Sequence, residues 1–120
     1  MGKMSRDKGA RFERLIVSHF KEYGYDAIRP SQYRGNTGNC ADVEGVPYLH
    51  IECKSQEAMR LYDWYNQAVR DSSKNRDAMP VVIHKQNNKP ILVSMDFDSF
   101  MRMYREFEAS MRLKEEYKST

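Results

Sequence analysis

Asp42-Val43-Glu44-Gly45-Val46-Pro47-Tyr48-Leu49-His50-Ile51-Glu52-Cys53-Lys54 reads as a short strand, a Gly-Val-Pro turn and a second strand. Side chains alternate between the faces of a strand, so His50, Glu52 and Lys54 share one face and Leu49, Ile51 and Cys53 the other. The apolar set is suited to a core, which leaves an acid and a lysine side by side on the opposite face. With Gly45, Val46 and Pro47 as the loop, Asp42 lies opposite His50 and diagonal to Glu52. Diagonal neighbours are roughly 7–8 Å apart, within reach of one shared divalent cation. Two carboxylates of this kind suit Mg²⁺, and a neighbouring lysine could hold a phosphate or a water. A half-exposed antiparallel hairpin with a polar outer face accounts for the same pattern.

The chain has 120 residues, enough for one domain spanning 1–120 and not for two. No apolar run approaches the ~18 residues of a membrane span, and there is no signal-peptide core. Cys40 and Cys53 match no zinc or redox spacing. Cys53 reads as a buried small apolar residue and Cys40 as a thiol in a reducing compartment, so the default location is cytoplasmic. The formal charge is +3, but residues 1–40 carry eight Lys/Arg against four Asp/Glu, and residues 41–120 twelve against thirteen. Lys8, Arg11, Arg14, Arg29 and Arg34 belong to this basic front, which phosphate-backbone binding would use. A solvated helix face with a basic terminus is the plainer alternative.

Ser5 is a candidate N-cap for a first helix with Asp7 in its first turn. Phe12, Leu15, Ile16, His19, Phe20 and Tyr23 recur at helical spacing, with Gly24 as the C-terminal stop. Glu13 lies at the flank of that stripe, either on the surface or leaning over the site; His19, inside it, reads as a core histidine. Tyr25 to Arg29 is a short strand stopped by Pro30. Next comes a turn-rich loop in which Tyr33 and Arg34 could stack on a base or grip a phosphate, or serve only as a connector. After the hairpin, Ser55 caps a second helix with Ala58, Leu61, Tyr62, Tyr65, Ala68 and Val69 as its apolar face, ending near Ser72–Asn75. Met79 to Lys85 and Pro90 to Ser94 are strands. Ser94 or Asp96 caps a last helix carrying Phe97, Phe100, Met101, Tyr104, Phe107 and Met111, with a fraying tail from Lys114. The expected class is α/β, in the order αβββαββα, with a mixed sheet flanked by helices.

This order, with an acid on the second strand and Glu52-Cys53-Lys54 on the third, resembles the PD-(D/E)xK nuclease superfamily and its restriction-endonuclease-like core. The nearer likeness is to the Holliday junction resolvase branch and small phage-encoded nucleases. It is carried by Lys8-Gly9-Ala10-Arg11-Phe12-Glu13-Arg14, Gly24-Tyr25, Arg29, Ala41-Asp42-Val43, Ile51-Glu52-Cys53-Lys54, and Leu61 through Gln67-Ala68 to Val81-Val82-Ile83-His84. The resemblance implies that Asp42, Glu52 and the Cys53 carbonyl hold Mg²⁺, with Mn²⁺ able to substitute. Lys54 would be the catalytic lysine, and Glu13 would act through a metal-bound water or a second ion. Gln67 corresponds to a helix glutamine of the exonuclease branch, although it falls nearly opposite the expected apolar face. Ser31 is the candidate for a loop serine that touches the site. Ala41 stands where many relatives have proline.

The implied activity is metal-dependent hydrolysis of DNA phosphodiester bonds, leaving a 5′-phosphate and a 3′-hydroxyl. The implied substrate is branched duplex DNA, as in recombination, and the implied assembly is a homodimer. The final helix is a candidate two-fold surface, or all of its apolar residues are core. A nicking, end-processing or restriction-like nuclease and a non-catalytic DNA-binding module are the alternatives. No recognition helix or zinc module is visible, which favours backbone and shape readout over base readout.

Overall fold

The computed structural model describes residues 2–34, 40–73 and 78–119, with only the backbone of Arg34. Its elements are α1 (Lys3–Glu22), α2 (Ser31–Arg34), β1 (Leu49–Ser55), α3 (Leu61–Ser72), β2 (Met79–Lys85), β3 (Leu92–Ser94) and α4 (Phe97–Ser119). The sheet has three strands in the order β1-β2-β3. β1 and β2 are parallel, in register from Leu49↔Met79 to Ser55↔Lys85, and β3 pairs antiparallel with β2 through Ile83↔Val93. Parallel neighbours need a crossover, and α3 supplies it.

The class is the expected α/β with a mixed sheet, but the two leading strands contract. Tyr25 to Arg29 and the Asp42 segment survive as isolated antiparallel bridges, Ile28↔Glu44 and Val43↔Ile51, and a short helix occupies part of the expected loop. Gly45 shows why pairing stops. Its φ of +96° is left-handed, and a Cβ there would collide with the carbonyl of Asp26. Tyr48 also has positive φ, 71°, so the chain turns sharply on entering β1. Ala27 and Val43 are still buried, so these segments add to the core without adding to the ladder.

α1 begins at Lys3 with Gly2 at its N-cap and no side-chain cap, so Ser5 lies inside the first turn. It ends as expected. The Gly24 and Tyr25 N–H groups donate to the Lys21 and Phe20 carbonyls, the paired bonds of a Schellman motif, with Gly24 at φ +93°. Its buried face keeps half of the expected stripe and is turned away from the other half. Phe12 and Ile16 are buried and Val17 and Phe20 pack beside them, whereas Leu15, His19 and Tyr23 are exposed. His19 is therefore not a core residue. It lies 3.7 Å from Glu22 at the surface. The turn of the helix brings Glu13 inward, half-buried on the face that meets the sheet.

Phe12 and Ile16 close one core over Ala27, Val43, Ile51, Cys53, Val81 and Ile83. On the other face of the sheet Trp64 and Ala68 of α3 pack on Val82, flanked by Leu61 and Tyr65. Both faces of β1 are thus covered, and the face carrying His50 and Glu52 is not the open surface expected of it. α3 starts five residues later than expected. Ser55 is the last residue of β1, and Arg60 occupies the N-cap. The buried side of α3 centres on Trp64, which leaves Tyr62 and Val69 exposed.

Asp96 caps α4: its carboxylate accepts the Ser99 N–H at 2.7 Å and the Ser99 hydroxyl at 2.9 Å. The helix then runs unbroken to Ser119, past the expected fraying point. It makes at most glancing contact with the other elements, and Ser99 is its only buried side chain among the described residues. No helix among the described residues is long and apolar enough to cross a membrane.

Candidate active site

The bridge Val43↔Ile51 sets the register at the centre of the molecule. Counting from it, Asp42 lies opposite Glu52 itself, two residues further along than the expected partner His50. An even shift keeps each side chain on its face, so Asp42 and Glu52 are brought together. The Cys53 N–H donates to Asp42 Oδ2 at 2.8 Å and fixes that carboxylate across the bridge. The two carboxyl groups are close enough to share a proton.

The charges follow from this crowding. Burial first, and then the negative charge of Glu52, push the Asp42 carboxyl up to about 7, opposed by the Cys53 N–H and more weakly by Lys54. Burial also raises the Glu13 carboxyl, although Arg29 opposes the rise through a hydrogen bond from Nε to Glu13 Oε1 at 2.6 Å. Glu13 feels the charges of both Asp42 and Lys54, so α1 contributes a third carboxylate to the same neighbourhood. The Cys53 thiol, buried among these groups, is pushed well above the ordinary thiol range and is inert as a nucleophile. Burial, not chemistry, is what Cys53 contributes as a side chain.

Arg29, read from sequence as part of the basic front, spends its Nε on Glu13 and is largely buried there. Arg11 and Arg14 are exposed on α1, and Lys8 reaches Asn87 Oδ1 at 3.4 Å. Tyr33 is exposed on α2. Ser31, at the start of that helix, has a buried hydroxyl with no hydrogen-bond partner among the described residues. The side chain of Arg34 lies outside what is described. Gln67 is half-buried, because the α3 face turns toward Trp64 and no longer leaves position 67 opposite the buried side.

Two residues near the carboxylates were not singled out from sequence. His50 Nε2 lies 3.0 Å from Glu52 Oε1, with 7% of His50 and 2% of the Glu52 side chain exposed. Asp71, one helical turn beyond Gln67 on α3, comes within 4.8 Å of both. The signal for His50 was its place on the face of Glu52. That for Asp71 was Trp64, which, once included in the apolar stripe, rotates Asp71 toward the sheet.

A family model described as "Phage putative PDDEXK endonuclease" matches residues 4–120. Among solved structures the chain is similar to Archaeoglobus fulgidus Hjc, a Holliday junction resolvase from an archaeal hyperthermophile. The TM-score is 0.51 and the identity 27%, over 71% of this chain and 73% of that one. No curated protein matches the sequence. With the matched model spanning nearly the whole chain, the protein belongs to the phage PDDEXK endonuclease family.

Proposed function

We propose that this protein is a Mg²⁺-dependent endonuclease that hydrolyses phosphodiester bonds in branched duplex DNA, as a homodimer in the cytoplasm. The observation that carries the reading is the meeting of Asp42 and Glu52 across the bridge, beside Lys54 and Glu13. Two carboxylates that repel each other at this distance, one of them pushed up to about 7, are a donor set that a hard divalent cation would neutralise. The likeness to an archaeal Holliday junction resolvase supports branched DNA as the substrate.

Asp42, Glu52 and the Cys53 carbonyl are the groups that would hold Mg²⁺. A residue's N–H and C=O face the same edge of a strand, and the Cys53 N–H already faces Asp42. Bound there, the ion supplies Lewis acidity to the scissile phosphate and makes a water more acidic. Lys54 orients that water and offsets the charge gathering on the phosphate oxygens. Glu13, held in place by Arg29, accepts a hydrogen bond from a water at the same centre. Gln67, half-buried on α3, is assigned to the same centre from the resemblance. Lys8, Arg11 and Arg14 grip the phosphate backbone and exposed Tyr33 adds to that surface, with Ser31 and Arg34 assigned to DNA binding from the sequence. The products are a 5′-phosphate and a 3′-hydroxyl.

A panel of four-way junction, flap, duplex and single strand, each with Mg²⁺, Mn²⁺ or EDTA, tests the reading. Junction cleavage with either ion and none in EDTA is expected. Loss of a metal carboxylate removes several kcal/mol of transition-state stabilisation, so Asp42→Asn should slow cleavage at least roughly 10²-fold with the fold intact. Lys54→Ala should do the same while calorimetric Mg²⁺ affinity is kept. Wild-type turnover in Asp42→Asn ends the assignment. Cleavage of other substrates but not the junction leaves a nicking, end-processing or restriction-like enzyme, and binding without cleavage leaves a DNA-binding module.

A further inference from the structure

Glu52 has neighbours on two sides. Toward the bridge stands Asp42, and toward α3 stand His50 and Asp71. The ligand atoms of His50, Glu52 and Asp71 all lie within 4.8 Å of one another. Two of the three come from one face of β1, and the third from the last turns of a helix anchored to the sheet by Trp64 and Ala68 on Val82. His50 and Glu52 are almost fully buried, and Asp71, the least buried of the three, is the one free to adjust. Buried charges are paired or coordinate metals. Here one imidazole faces two carboxylates, and Asp42 adds a third on the far side of Glu52. Of the nearby cations, Lys54 acts on Asp42 and Glu13, and Arg29 is taken up by Glu13.

We propose that His50, Glu52 and Asp71 form a second cation site, distinct from the Asp42 site and sharing Glu52 with it, that takes a transition ion of the zinc class. The imidazole decides the class. A nitrogen donor suits Zn²⁺, whereas Mg²⁺ and Mn²⁺ favour oxygen donors and Mg²⁺ keeps its waters. Zinc accepts histidine nitrogen and carboxylate oxygen at about 2.0–2.2 Å, and three protein ligands leave one position open. Asp71, half-buried near the end of its helix, is the donor left to close onto the ion. The ligand set is read from geometry alone; only the sharing of Glu52 rests on the nuclease reading.

The test is a titration of the metal-free full chain with Zn²⁺, and separately with Mg²⁺. It is followed by the imidazole ¹⁵N resonances of the three histidines and by calorimetry. The His50 Nε2 resonance should take the large shift of a metal-bound nitrogen with the first equivalent of Zn²⁺ and only the small shift of an altered hydrogen bond to Glu52 with Mg²⁺, while His84 stays fixed with both. Asp71→Asn, a near-isosteric change at a half-buried position, should weaken Zn²⁺ binding at least tenfold without altering the melting temperature. Asp42→Asn should lose Mg²⁺ binding and keep the Zn²⁺-induced shift of His50. A fixed His50 resonance, a response confined to surface His19 beside Glu22, or unchanged Zn²⁺ affinity in Asp71→Asn overturns the site. Wild-type cleavage by Asp42→Asn would overturn the assignment of Asp42 instead and leave this site standing.

Discussion

Asp42 carries the cost of the candidate site. Its carboxyl is held near 7 by burial and by the charge of Glu52, against an ordinary value of 3.8 in a solvated chain. The folded state therefore binds this proton more tightly than the unfolded state does. That stabilising contribution is complete below about pH 4 and is lost as pH rises through about 7. In EDTA, urea unfolding should show about 1–3 kcal/mol more loss between pH 5 and pH 8 in the wild type than in Asp42→Asn. Mg²⁺ at pH 8 should restore the difference. Equal pH dependence in the two proteins would show that Asp42 and Glu52 are not in repulsive contact. At this scale the sequence was informative because alternation along a strand survives an even error in register. Asp42 meets Glu52 rather than His50, yet both remain on one face. Burial of that face was not legible, since nothing in Asp42 to Lys54 says that α3 covers it.

Apolar stripes located the helices of this fold but misjudged how two of them are turned. The stripe read for α1 holds at Phe12, Ile16 and Phe20 and fails at Leu15, His19 and Tyr23, because the buried side turns toward Glu13. The face read for α3 holds at Leu61, Tyr65 and Ala68 and fails at Tyr62 and Val69, because the buried side centres on Trp64. Each error has one physical source. A carboxylate facing a polar centre occupies a sheet-facing position without being apolar, so a count of apolar residues places the face too far round. Glu13 and Asp71 are the two residues hidden in this way. The short leading strands failed for another reason: Gly45 and Tyr48 need left-handed backbone, which breaks a ladder that alternation alone would extend. With Glu13 turned toward the sheet, Arg11 and Arg14 point outward from α1, as phosphate contacts require. The double variant Arg11→Gln/Arg14→Gln should reduce the slope of log K against log[salt] on duplex DNA by about 0.9 per lost contact. A slope equal to that of the wild type would turn this helix away from the nucleic acid.

On the scale of the whole molecule α4 stands apart. The chain measures 61 × 33 × 27 Å, and α4 leaves most of its apolar side uncovered. Phe97 is 73% and Phe107 60% exposed, with Phe100, Tyr104 and Met111 also open to solvent, so these residues are not core. Their rings form a ladder, with Phe100–Tyr104 centroids 5.9 Å apart and Tyr104–Phe107 centroids 6.3 Å apart. The steps from Phe97 to Phe100, Tyr104, Phe107 and Met111 alternate between three and four residues, the seam of a left-handed coiled coil. An exposed patch of this kind on a small domain marks an interaction surface, and two-fold pairing with a second copy is the commonest way to cover it. Resolving a junction also requires two cuts on strands of like polarity, which a symmetric pair of sites supplies. Sedimentation at micromolar concentration should therefore give a dimer, and Phe100→Glu/Phe107→Glu a monomer that retains the α/β core. That monomer should nick a junction on one strand without producing paired cuts. A wild-type chain that sediments as a monomer and still makes paired cuts would remove both the dimer and the argument from symmetry.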